Sequence, residues 1–168
     1  MNNNDLLVRL RYALDLKDEE MVDIFKLGDY LISKETVQRM LTKSNPQSNQ
    51  TDTHTENEYE IDCDYEQLNA FLDGLIIFKR GQQDQAKKAP QKQALTDENV
   101  NNVVLKKVKI ALTLTSDDML QLLSEAGVNI SSSELSAVLR KEGHRNYKPC
   151  GDRYVRNFLK GLALKYRH

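Results

Sequence analysis

The sequence predicts an all-α protein made of two tandem copies of a roughly four-helix unit, packed together. Three observations lead there. Apolar residues recur at helical spacing through most of the chain, while Trp is absent and Pro is limited to three residues, a composition that favours helices. Long stretches of the first half reappear in order in the second. Finally, several apolar-periodic segments open on acidic or Ser-rich residues that suit helix starts.

The repeat fixes the organisation. Residues 5–43 align with 103–141 at an offset of 98: Leu7 meets Leu105, Ala13-Leu14 meets Ala111-Leu112, and Leu16 meets Leu114. Further along, Met21 meets Met119, Ile32-Ser33 meets Ile130-Ser131, and Leu41 meets Leu139. The offset then falls to 87, where Cys63 meets Cys150, Phe71-Leu72 meets Phe158-Leu159, and Gly74-Leu75 meets Gly161-Leu162. A longer polar insert in the first copy, around 44–62, accounts for the eleven-residue difference. Scattered Leu matches would not give Cys and then Phe-Leu-x-Gly-Leu in the same order.

Each copy reads as four helices. The first covers about 4–15 and 101–113, with Val104, Val108 and Ala111 at helical spacing. The second follows Asp18-Glu19-Glu20 or Asp117-Asp118, acids that suit a helix N-terminus, and runs to about Leu27 and Glu125. The third opens at Ser33 and at Ser131-Ser132-Ser133-Glu134, where Ser and Glu fit a capping box. The fourth and longest spans about 64–80 and 151–166. The resulting division is 1–80 for the first repeat, with a polar insert at 44–60, then a linker at 81–97 and a second repeat at 98–168. The insert and the linker are polar and nearly devoid of apolar residues, so both are expected to be mobile. One unit of about seventy-five residues buries only a marginal core, so the two copies are expected to stack face to face.

Charge separates the copies. The net charge of −1 divides into −6 over residues 1–90 and +5 over 91–168. Residues 140–168 hold nine Lys/Arg against Glu142 and Asp152, whereas residues 51–66 hold seven Asp/Glu and no Lys or Arg. Winding 153–167 as a helix puts Val155, Phe158, Leu159, Leu162, Ala163 and Tyr166 on one side. Arg153, Arg156, Lys160 and Arg167 fall on the other. The matching positions in the first copy are Glu66, Asn69 and Asp73. Just upstream, Arg140, Lys141, His144, Arg145 and Lys148 extend the cationic surface, and Tyr147 could stack on a base. These residues are the candidate nucleic-acid-binding set. Against it stands the plainer expectation that both stripes are solvated faces, or that the acidic and basic copies pair with each other. The helices around 117–125 and 132–141 weakly resemble a helix-turn-helix, but their connection of roughly six residues is longer than the usual three or four.

Catalytic chemistry has little to draw on. The three histidines, His54, His144 and His168, lack metal-ligand spacing, and no Gly-rich phosphate loop is present. Cys150, beside Lys148 and near His144 at a helix start, has the setting of a reactive thiolate, but Cys63 is flanked by acids. Small buried residues packing the helix start are the expected role for both. No cofactor, metal or catalytic residue is expected. With no long apolar run, no signal-peptide pattern at the start and no disulfide framework, the expected compartment is the cytoplasm.

Several strings together carry a family resemblance: Asn102 to Ala111 (NVVLKKVKIA), Arg140 to Tyr147 (RKEGHRNY), and Cys150-Gly151-Asp152 leading to Phe158-Leu159-Lys160-Gly161-Leu162. Phe71-Leu72-Asp73-Gly74-Leu75-Ile76 and Lys79-Arg80-Gly81 belong with them. The chain resembles the YehS-like family, bacterial proteins of about this length that each hold a tandem pair of one domain of unknown function. It departs from the family mainly in the insert, where members carry a shorter acidic segment. The resemblance implies a bacterial cytosolic protein and supplies no activity, substrate or catalytic residue. The expected function is therefore that of a non-enzymatic binding module, with RNA or DNA held by the basic surface of the second repeat. The alternative is protein–protein interaction or self-association, pairing the acidic first repeat with the basic second one.

Overall fold

The computed structural model describes residues 2–44, 58–81, 95–140 and 143–166. Among the described residues, eight α-helices account for the fold: α1 (Asn3–Ala13), α2 (Asp18–Leu27), α3 (Lys34–Met40), α4 (Tyr65–Arg80), α5 (Val100–Ala111), α6 (Ser116–Glu125), α7 (Ser132–Leu139) and α8 (Asp152–Tyr166). Residues 45–57 of the insert and 82–94 of the linker lie outside the described residues. At the base of the insert, Lys43 and Tyr59 form an isolated antiparallel bridge. Leu95, which the sequence pattern assigns to the linker, is buried in the core.

Local chemistry sets the helix boundaries, and it repeats. Asn2, Asp64 and Thr115 cap α1, α4 and α6 with full capping boxes, each satisfying two otherwise orphaned backbone N–H groups. Ser33 and Ser131 cap α3 and α7. The box expected at Ser131 is half formed: Ser131 Oγ accepts from Glu134 N at 3.1 Å, but the Glu134 carboxylate faces the Ser131 hydroxyl instead of the backbone. After α1 the chain turns through Asp15 at φ +52°, and Leu16 N donates to Arg11 O. After α5 it turns through Thr113 at φ +55°, and Leu114 N donates to Lys109 O. The ends of α2 and α6 match likewise, with Asp29 and Gly127 at positive φ, in the manner of Schellman turns.

Within each repeat the fourth helix lies against the second at very close range. A Cβ on Gly74 would sit 1.7 Å from the Ile24 carbonyl oxygen, and one on Gly161 would sit 2.3 Å from the Leu122 carbonyl oxygen. Only glycine allows those backbones to touch, which explains why Phe-Leu-x-Gly-Leu recurs as a unit. Between repeats the contacts cross: α4 packs on α5, and α8 packs on α1. The two copies are thus joined through their first and fourth helices in a pseudo-two-fold manner. One hydrophobic core runs through both, with Phe25, Phe71 and Phe158 among its fully buried side chains. The Phe25 and Phe71 rings meet at 5.3 Å and 56°, a tilted aromatic pair.

Candidate nucleic-acid interface

Helix α8 owes its orientation to its apolar stripe. Val155, Phe158, Leu159, Gly161 and Leu162 are buried against α6 and α1. Spacing of about 100° per residue then turns Arg153, Arg156 and Lys160 outward, and all three are exposed. They extend about 10 Å along the helix axis, a reach comparable to about three phosphates of one duplex strand. Tyr166, expected on the buried side, lies at its edge and is partly exposed.

The segment before α8 is pinned, so its cations are held against the domain. Lys148 N donates to Ala137 O at 3.0 Å, and Tyr147 N donates to His144 O at 2.9 Å. Asn102 Nδ2 donates to Lys148 O at 2.8 Å, and Asn102 Oδ1 accepts from Cys150 N at 2.9 Å. On this platform Arg140, His144, Arg145 and Lys148 are exposed. His144 Nδ1 accepts from Asn146 N at 3.0 Å. Arg140 and Asn146, with Ser132, Ser133, Ser136 and Ala137, line a shallow depression. Tyr147 is half-buried with its hydroxyl inside, so its ring offers less stacking surface than the sequence pattern leads one to expect. Lys141 and Arg167 lie outside the described residues.

Among the described residues, none of the six cations Arg140, Arg145, Lys148, Arg153, Arg156 and Lys160 forms an ion pair. Arg156 feels the field of Asp152, one turn earlier. The corresponding stripe of α4 has a different fate. Lys107 of α5 donates to Asn69 Oδ1 at 2.7 Å and to the Asp73 carboxylate, so the second repeat partly covers these two, while Glu66 stays exposed.

Both cysteines are buried, and each thiol donates to the carbonyl of the following residue at 3.6 Å. Burial, with an acid close by (Asp64 for Cys63, Asp152 for Cys150), pushes each thiol up to about 12, the opposite of an activated thiolate. What holds the cysteines is a polar device that sequence reasoning missed. Asn4 Nδ2 donates to Met40 O and Ile61 O, while Asn4 Oδ1 accepts from Cys63 N. Asn102 makes the equivalent bonds to Val138 O, Lys148 O and Cys150 N. Asn3 and Asn101 add bonds to the carbonyls of Cys63 and Cys150. The available signal was the Asn-Asn pair opening an apolar helix at the same offset of 98 in both copies.

Among the described residues no group of three or more His, Cys, Asp or Glu is placed to hold a metal. No described helix is long and apolar enough to cross a membrane. The fold and surface define a tandem helical repeat protein, in which the polar features shared by the two copies serve architecture while the outer charges differ between them.

The particular family follows from comparison. The chain belongs to the family described as protein of unknown function (DUF1456), whose model matches residues 3–81 and 101–168, one segment for each repeat. It is similar to the protein described as "Uncharacterized protein YehS" of Escherichia coli (strain K12). The two are 33% identical over 165 residues, covering 98% of this chain and 96% of that relative. No solved structure matches the chain.

Proposed function

We propose that this protein is a non-enzymatic module that binds RNA or DNA through the basic surface of its second repeat. The observation that carries this reading is the stripe of Arg153, Arg156 and Lys160 on α8, exposed and without ion pairs among the described residues, where the first repeat has Glu66, Asn69 and Asp73. Arg140, Arg145 and Lys148 widen the stripe on a segment fixed by backbone bonds and Asn102. A cationic surface of this kind neutralises phosphates and releases counterions, which gives affinity without demanding a base sequence.

The exposed acids Glu58, Glu60, Asp64 and Glu66 favour a second reading, in which the acidic face of one molecule meets the basic face of another. A salt-titrated binding assay with single- and double-stranded RNA and DNA separates the two. It compares the native chain with Arg153→Glu, Arg156→Glu, Lys160→Glu combined, after circular dichroism confirms that the variant folds. Nucleic-acid binding predicts affinity that falls steeply with salt and vanishes in the variant. Absence of binding at low salt, with a mass that rises with concentration and falls with salt, would replace this reading by self-association.

A further inference from the structure

We infer that the centre of the basic surface is a phosphate site shared between the repeats, at the seam of α1 and α8, formed by Arg9 with Arg156 and Lys160. The inference deepens the nucleic-acid reading and rests on it. It begins from the two matching seams of the fold. At one, α5 packs on α4, and Lys107 is held between Asn69 and Asp73. At the other, α1 packs on α8. The repeat offsets assign the counterparts: Arg9 stands where Lys107 does, Arg156 where Asn69 does, and Lys160 where Asp73 does.

The two seams pair the same helices but not the same charges. The first joins a cation to a carboxylate and an amide, and it is complete. In the second the cation is kept as Arg9, while the amide and the carboxylate have both become cations. Arg9, Arg156 and Lys160 are all exposed, and none has a hydrogen-bond or ion-pair partner for its side chain among the described residues. The repeat correspondence and the packing of α1 on α8 assign three cations to one seam, where they repel one another, so the seam is satisfied by an anion in the place that Asp73 takes at the other seam. A phosphodiester supplies the charge there with oxygens that guanidinium groups bind directly. Because Arg9 comes from the first repeat, the surface requires both copies, and the acidic repeat contributes a cation to it.

The test is a binding titration of the full chain against a fluorescein-labelled single-stranded RNA of mixed sequence at several salt concentrations. Arg9→Gln, an exposed change, is expected to weaken binding about tenfold, as the loss of one charged hydrogen bond would. It should also reduce the slope of log affinity against log salt by up to about 0.7. Lys26→Gln, which removes an exposed cation of the same repeat away from the seam, should do neither. When Arg156→Gln and Lys160→Gln are already present, Arg9→Gln should lose most of its effect, because the three cations share one phosphate. If Arg9→Gln binds like the native chain while the α8 charge reversal abolishes binding, the seam site is wrong and the nucleic-acid reading stands. An Arg9 effect undiminished in the doubly substituted background would overturn the shared site in the same way. If the native chain does not bind, both fail together.

Discussion

Asp73 and Lys160 occupy the same turn of the same helix in two copies of one unit. Asp73 is half-buried beneath α5, with Lys107 bound to its carboxylate. Lys160 is exposed and has no ion pair among the described residues. Around them the copies are alike to the level of single hydrogen bonds: Asn4 and Asn102 clamp the chain before the fourth helix, and Gly74 and Gly161 let that helix touch the second. Duplication has kept what folds the unit and let the outer face of its fourth helix diverge. On that outer face the charge changes sign, from Glu66 and Asp73 in the first copy to Arg153 and Lys160 in the second.

Breaking the shared parts should injure both copies alike. The largest effect is expected from Asn4→Ala or Asn102→Ala. Each leaves two carbonyls and one N–H without their buried partner, and each should lower the unfolding free energy by about 3–4 kcal/mol in urea titrations. Similar losses at the two sites would sharpen the equivalence; a loss at only one would break it. Next come Gly74→Ala and Gly161→Ala, expected to cost about 2–3 kcal/mol by the same measurement, because helices must separate to admit a methyl group. Gly74 should be the worse site, since its Cβ would lie 1.7 Å from a carbonyl oxygen against 2.3 Å at Gly161.

These parts also mark how far the sequence could be read. Helices, their order and the duplication were legible because apolar spacing and the caps are local signals, and the Phe-Leu-x-Gly-Leu match survived in both copies. The exposed stripe followed from the same periodicity, since a helix that buries Val155, Phe158 and Leu162 must turn Arg156 and Lys160 outward. The Asn clamps were not legible as such. Asn102 bonds residues 36 and 46 positions away, and nothing local distinguishes a buried amide from one in solvent. The crossed packing of α1 on α8 and α4 on α5 was equally hidden, because it joins helices from opposite repeats. That packing decides which charges are covered. Without it, Asp73 and Lys160 read as two equivalent surface positions.

Smaller effects test the divergence directly. Asp73→Ala removes the partner of the half-buried Lys107 and should cost about 1 kcal/mol, whereas Lys160→Ala should stay within about 0.5 kcal/mol in thermal or urea unfolding. Equal costs would contradict the difference drawn between the two faces. The cysteines give the last comparison. With both thiols raised from 9.0 to about 12, the unfolded chain sheds thiol protons at a lower pH than the folded one. Stability from this source is fully present below pH 9 and is lost as pH rises from about 9 toward 12. Cys63→Ser and Cys150→Ser should each flatten that decline. Both thiols should also resist alkylation near a pH of about 8 until urea is added.

Where an anionic partner lands is read most directly by amide chemical-shift mapping during titration with a single-stranded RNA oligonucleotide. Perturbations are expected on α8 around Arg153, Arg156 and Lys160, on the platform from His144 to Lys148, and on the exposed face of α1 at Arg9, with α4 around Glu66 and Asp73 unmoved. Perturbations centred on α4, or none anywhere at low salt, would contradict the assignment of binding to the second repeat.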